Sequence, residues 1–309
     1  MKLATSSGDF SHYYSAVSDK IKAYAGTNFK YLNFEQARTA EYLYAPQKME
    51  SAAEAFKEAA AFAGVQYVVS HAPCLHNPVL NDEETYKRNI FAIRNSIKMC
   101  HLLGISRIVV HACPSKDFTV EEFYKYNKKF YADILEVAEQ YNIMILTENW
   151  DNSETHFSTG KQLRDFIDYI DHPLFGACWD TAHGIIDETA RKIGQYENIV
   201  AIGDKLHGMH ISDNFGDCHH HTFPFAGIIN FDSIVQGLID VDYDGYFTFE
   251  AAYTLLHQNN MPYRRKEWEH NGKTVTTLLN PSAELKQKAV NLLYEIGKYI
   301  LETYGIFEE

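Results

Sequence analysis

The sequence predicts an α/β chain folded as a single (β/α)8 barrel, with its active site at the C-terminal mouth of the strands. Three observations carry this. Short β-like runs alternate with helical segments eight times along the 309 residues, the pattern of a parallel sheet built from βα units. The length suits one large core, since such barrels typically need ~250 residues. Six consecutive strand ends, the third to the eighth, carry only His, Asp or Glu.

Each element has its own signal. Lys2–Ser6 reads as the first strand, with Gly8 and Asp9 in the loop after it, and a helix near Tyr13–Tyr24 leads to a second strand, Tyr31–Phe34. Glu50–Ala63 is helical by its Ala and Glu content, and Gly64 stops it. Val65–Ser70 is the third strand and runs into His71. Asp82 is placed to cap a helix through Leu103 that ends at Gly104. Arg107–Val110 runs into His111, and a helix from Thr119 to Tyr141 precedes Ile143–Thr147, which runs into Glu148. Thr159–Asp171 is helical, and Phe175–Trp179 runs into Asp180 with His183 close behind. A weakly patterned helix over Thr189–Gly203 leads to the seventh strand, which starts at Leu206 and reaches His210. A helix near Phe231–Ile239, the strand Tyr246–Phe249 running into Glu250, a long loop, and a helix from Ser282 to Tyr304 close the chain.

Composition narrows the function classes. Hydrophobic content of 46% and charged content of 22% are those of an ordinary soluble globular protein. No apolar run approaches the ~18 residues of a membrane span, and Met1–Thr5 lacks the pattern of a signal peptide. The five cysteines form an odd, scattered set without a Cys-x-x-Cys, which argues against a disulfide framework and for a cytoplasmic location. The net charge of −13 disfavours a duplex-binding role, because displacing phosphate counterions takes Lys and Arg. No linker or low-complexity tract divides residues 1–309, so one domain is expected. A homo-oligomer is compatible with the aromatic-rich loop from Tyr253 to Trp268.

In such a barrel the strand ends converge on one mouth although they span most of the sequence. Neutral imidazoles and ionised carboxylates are the ligand types of a borderline divalent cation, Zn²⁺ or Mn²⁺ first and Co²⁺ or Mg²⁺ after them. Without a cation, Glu148, Asp180, His210 and Glu250 would bring uncompensated charge into a buried place. Asp217 and His219 follow in a loop that brings them back towards His210, within a His-rich run that also reads as a solvated surface.

The ordered set Ser70-His71-Ala72-Pro73, Val110-His111, Glu148-Asn149, Cys178-Trp179-Asp180-Thr181-Ala182-His183, His210-Ile211-Ser212-Asp213-Asn214 and Phe249-Glu250 resembles the xylose isomerase-like TIM-barrel superfamily. That superfamily holds sugar isomerases and epimerases, inosose dehydratases and the zinc-dependent apurinic/apyrimidinic endonucleases. For its ketose epimerases the resemblance implies one divalent metal on Glu148, Asp180, His210 and Glu250, with Glu148 and Glu250 also exchanging the substrate proton. It further implies that His183 contacts substrate oxygens and that Glu154 holds the terminal hydroxyl. His71 and His111 stay open between substrate contacts, additional metal ligands and hydrogen-bonded histidines of the mouth.

The resemblance thus implies a carbohydrate substrate and a metal-assisted proton transfer, or dehydration of an inosose or keto acid. Its endonuclease branch implies three zincs, for which His71, His111, Glu148, Asp180, His183, His210, Asp217, His219 and Glu250 would fill every ligand position. Against that branch stand the acidic balance and a segment, Asp180 to Gly184, that departs from the endonuclease signature. Few Lys or Arg stand in the mouth loops between the second strand and the third helix to grip a DNA backbone. Basic residues are scarce in the expected mouth, Arg264 and Arg265 in the long loop excepted, so an unphosphorylated sugar, ketose or inosose, is the expected substrate.

Overall fold

A computed structural model describes residues 1–75, 83–114, 117–150, 155–252, 254–255, 267–279 and 281–309. The chain opens with β1 (Leu3–Ser6), the short helix α1 (Val17–Lys22) prolonged by a 3₁₀ turn, and β2 (Tyr31–Glu35). Then come α2 (Met49–Ala63), β3 (Gln66–His71), α3 (Glu83–Leu103), β4 (Arg107–Val109), α4 (Val120–Tyr141), β5 (Met144–Glu148), α5 (Gly160–Ile170) and β6 (Phe175–Asp180). Three short helices, α6 (His183–Ile186), α7 (Glu188–Ile193) and α8 (Gln195–Ile202), precede β7 (Leu206–His210). The chain ends with α9 (Phe231–Asp240), β8 (Phe247–Phe249), a hairpin of β9 (Trp268–His270) and β10 (Lys273–Val275), and α10 (Ala283–Thr303).

The first eight strands run parallel in the order β7-β6-β5-β4-β3-β2-β1-β8. The ring closes through Ile211, whose N–H donates to Thr248 O at 2.8 Å and whose carbonyl accepts from Glu250 N at 2.9 Å. The expected (β/α)8 TIM barrel is therefore the fold the chain adopts. Helix ends follow local chemistry. Thr119 and Glu122 form a capping box at α4, and Thr159 and Gln162 form one at α5, each satisfying backbone donors the helix leaves open. Gly64 ends α2 with φ at +69°, a left-handed turn that glycine takes without strain.

Three expectations need adjustment. The single helix over residues 189–203 is two, because Gly194 between them takes φ of 101°. The loop after β8 contains the exposed β9–β10 hairpin. The first helix is shorter than Tyr13–Tyr24. Asp82, Glu154, Arg264 and Arg265 lie outside the described residues.

Close packing of α5 on α8 leaves no room for a side chain at Gly160. A Cβ there would fall 1.9 Å from Asn198 O, and Gly160 N is already tied to Asn198 Oδ1 at 2.8 Å. Gly160→Ala is expected to destabilise the protein by about 1–3 kcal/mol, read as a lower urea midpoint at unchanged slope. An unchanged midpoint would show that the two helices can separate freely. Among the described residues no helix is long and apolar enough to cross a membrane.

Candidate metal centre at the barrel mouth

Side chains of a strand alternate between faces, so every second residue points the same way. Val69, Val109, Leu146 and Cys178, one from each of β3 to β6, form a small apolar cluster of their own, apart from the main core. Two residues further along each chain stand His71, His111, Glu148 and Asp180. In β7 the same step runs from Gly208 to His210, and at β8 from Thr248 to Glu250. Glycine at 208 fits because a Cβ would lie 2.7 Å from Leu146 Cδ1 and close to Cys178. The period of two thus sets a polar layer directly over an apolar one.

Glu148 is the hub of that layer. Its Oε1 lies 3.0 Å from His210 Nδ1 and 3.4 Å from His183 Nδ1, and its Oε2 lies 2.9 Å from His111 Nε2 and 3.5 Å from His71 Nε2. Glu250 Oε2 approaches the same His210 Nδ1 to 3.2 Å. Asp180 is held by Asn149, whose Oδ1 accepts from Asp180 N at 2.7 Å and whose Nδ2 donates to Asp180 O at 3.1 Å. His183 N donates to Asp180 Oδ1 at 2.7 Å, and the His183 ring is fixed by the Asn149 carbonyl at 2.8 Å.

These groups share a buried field. Burial pushes the Glu148 carboxyl up, but the charges and hydrogen bonds of His210 and His111 outweigh it and hold it well below the usual carboxylate range. Burial lowers His210, yet the neighbouring Cys178, Glu148 and Glu250 carry it well above its ordinary value. His71 is likewise depressed by burial and then lifted to about 9 by its bond to Glu148. Glu250 is raised, first by burial and further by Glu148 and Asp180, against the pull of His210 and His221.

Glu148, Asp180, His210 and Glu250 each offer a donor atom, all within 4.8 Å of one another. Asp180 Oδ2 is buried with no hydrogen-bond partner among the described residues. A buried carboxylate oxygen without a partner is costly, and a cation at the centre of the four donors would satisfy it. Three carboxylates and an imidazole are the oxygen and nitrogen set of a Zn²⁺ or Mn²⁺ site, so the residues fit the ion. A second grouping, His71, Glu148 and His210, meets the same distance condition.

The mouth holds two adjoining cavities of about 310 Å³ each. They share Glu35, Gln36, His221 and Glu250; one reaches His71, His111 and Trp150, the other Ser7, His12 and Lys20. A larger cavity of about 560 Å³ lies beside Lys2, Asp244 and Tyr246, where strands begin. None of the metal-capable groupings among the described residues includes its lining. Chemistry therefore favours the mouth over the larger space.

The structure brings His71, His111, Glu148, Asp180, His183, His210 and Glu250 together. His219 joins them, its ring 4.7 Å from that of His183 and 5.3 Å from Trp150. Asp217 does not join through its carboxylate, which is exposed and bound to His220 at 2.6 Å. Glu154 lies outside the described residues. Two mouth residues went unnoticed in the sequence. Glu35, one past the expected end of the second strand, accepts from Ser6 Oγ at 3.0 Å; it is a strand-end acid like the others. His221, lost in a run of histidines, reaches Glu250 O at 3.1 Å.

An eight-stranded parallel barrel with imidazoles and carboxylates converging at the strand ends defines the class: a barrel protein with a candidate metal site at its mouth. A family model described as xylose isomerase-like TIM barrel matches residues 21–270, and the chain belongs to that family. It is 28% identical over 175 residues to a probable endonuclease 4 of Methanoculleus marisnigri, a match covering 53% of this chain and 62% of that protein. The match thus spans about three-fifths of that relative's length. A crystal structure of a D-tagatose 3-epimerase-like protein superposes with a TM-score of 0.69 at 23% identity, over 99% of this chain and 100% of that one. A structure of the IOLI protein with a bound zinc atom superposes with a TM-score of 0.66 at 15% identity, over 98% and 99%. At such identities the superpositions speak for the fold.

Proposed function

We propose that the protein is a divalent-metal-dependent sugar isomerase or epimerase that transfers a proton at the carbon beside a carbonyl, with Glu148 and Glu250 as the acid/base pair. The observation that carries this reading is the approach of both carboxylates to one atom. Glu148 and Glu250 lie 3.0 and 3.2 Å from His210 Nδ1, so two potential bases face one centre from different strands.

A cation held by Glu148, Asp180, His210 and Glu250 would supply the Lewis acidity that makes such a proton removable at neutral pH. One carboxylate takes the proton from carbon and the other returns it, at the opposite face for epimerisation or on the neighbouring carbon for isomerisation. His183, fixed by Asn149, stands ready to bind a sugar hydroxyl. Trp150, 4.4 Å from the His183 ring, offers an apolar wall. Loss of a β-hydroxyl, a dehydration, uses the same proton abstraction. The named sugar of the D-tagatose 3-epimerase-like structure and the zinc of the IOLI structure support the substrate class and a metal, with Zn²⁺ or Mn²⁺ favoured.

A second reading, a zinc-dependent abasic-site phosphodiesterase, is favoured by the endonuclease 4 relative and by the His71, Glu148 and His210 grouping. Asp217 turned to His220 weighs against it.

One experiment separates the two. The purified protein, loaded with Mn²⁺ or Zn²⁺, is incubated in D₂O with a panel of ketoses and inososes, and in parallel with abasic duplex DNA. The expected result is an epimer or isomer carrying deuterium at the carbon that changed. DNA cleavage with no sugar turnover, or turnover without deuterium uptake, overturns the proposal.

A further inference from the structure

We propose that Asp217, Cys218 and His220 form a second metal site, selective for zinc-class cations, at the tip of the loop between β7 and α9. The three donor atoms already converge. His220 Nε2 lies 2.6 Å from Asp217 Oδ1 and 3.2 Å from Cys218 Sγ, and all three lie within 4.8 Å of one another. An Asp–His pair on a surface is ordinary. Here a thiol lies against both members of the pair and adds a soft donor to it.

The loop is built to hold this arrangement. Its base is closed by an antiparallel bridge in which Asp213 N donates to Thr222 O at 2.8 Å. The Asp213 carboxylate accepts from the backbone N–H groups of Asn214, Gly227 and Ile229. Asn214 then spans the turn, accepting from Gly216 N at 2.6 Å and donating to Cys218 O. Gly216 has φ of +87°, a conformation that makes the tight turn possible. The Phe215 ring stands edge-on to His220 at 4.8 Å and fixes its orientation.

Thiolate, imidazole and carboxylate are a three-ligand zinc set that leaves a fourth position open to water. The soft sulfur selects against Mg²⁺ and Ca²⁺. On binding, the Cys218 S–H bond breaks, a sulfur–metal bond forms and the proton leaves to solvent. In the metal-free loop the His220 Nε2–H donates to the Asp217 carboxylate, so binding through the Nε2 lone pair requires that proton to pass to solvent while Nδ1 takes one up.

The site is separate from the mouth but mechanically joined to it. His219 and His221, flanking His220, lie against His183 and Glu250 O. Asp217 turns outward to His220, while His219 turns inward to the His183 ring. A cation at the outer site would therefore hold in place the loop that carries two mouth histidines.

The test uses the full chain titrated with Co²⁺, a spectroscopic stand-in for Zn²⁺, followed by the near-ultraviolet thiolate-to-cobalt charge-transfer band. The band is expected in the parent protein, in Cys74→Ser and in Asp180→Asn, and is expected to vanish in Cys218→Ser and His220→Ala. Thermal unfolding of the metal-free variants checks that the fold is intact. No band in the parent protein, or a band that survives Cys218→Ser, overturns the proposal. Loss in Cys74→Ser or Asp180→Asn with retention in Cys218→Ser assigns the sulfur elsewhere and overturns it too. The mouth centre is read separately, by the deuterium experiment, so either proposal can fail alone.

Discussion

Glu250→Gln is expected to lower turnover of a ketose substrate by about 10²–10⁴-fold, the usual worth of a positioned acid or base. The substitution keeps the side-chain volume and leaves the backbone contact of Glu250 N with Ile211 O, so folding should survive. What disappears is one of the two carboxylates facing His210 Nδ1. Measured at saturating metal, the loss should fall on kcat rather than KM, because the missing interaction belongs to the transition state. Metal content is recorded alongside, since Glu250 is also one of the four converging donors. Unchanged turnover in this variant would remove Glu250 from the chemistry.

Lys286→Met is expected to cost about 3–5 kcal/mol at neutral pH, the range for breaking a buried ion pair from one side. Lys286 is 1% exposed, and its Nζ lies 4.0 Å from Asp9 Oδ1. It donates to the carbonyls of Ala252 at 2.9 Å and Thr254 at 3.2 Å. Asp9, also 1% exposed, accepts from Thr5 Oγ1 at 2.8 Å and Tyr24 OH at 3.1 Å. Burial already pushes the Asp9 carboxyl above its ordinary value, with Lys286 pulling it down. A carboxyl raised on folding contributes its full stability below its unfolded pKa and loses it as pH rises through the folded one. Removing Lys286 raises the folded value further. The deficit of the variant should therefore be largest at pH 7 and shrink as the pH falls towards the ordinary carboxylate range. Urea unfolding at two pH values checks this, and an equal deficit at both would exclude Asp9 as the cause. Adding Asp9→Asn should recover part of the loss.

Much of this architecture was readable in the sequence because strands expose their period. His71, His111, Glu148, Asp180, His210 and Glu250 each end or follow an apolar run, and parallel topology does the rest. What stayed hidden depends on contacts between distant segments. Glu35 is the last residue of β2, one beyond the apolar run that marks the strand in the sequence, and it is recognisable only once the register with its neighbours is known. The exposed hairpin at Trp268–Val275 has no buried face, so it left no alternation to find. The partner of Asp217 is chosen by the Asp213–Thr222 bridge and the Asn214 clamp, neither of which has a signature in residue spacing. The break at Gly194 was hidden for a plainer reason: glycine is tolerated inside helices, and only its φ shows that it ends one.

The ring of strands closes at Ile211, between the seventh strand and the eighth. Ile211 follows His210 directly and receives the N–H of Glu250, so pairing the seventh strand with the eighth brings Glu250 to the other three donors. A nascent chain that has not yet produced its eighth strand carries Glu148, Asp180 and His210 but lacks Glu250, and so holds only three of the four donors. Under the proposed chemistry, a copy whose eighth strand has not docked on the seventh cannot present both carboxylates to His210.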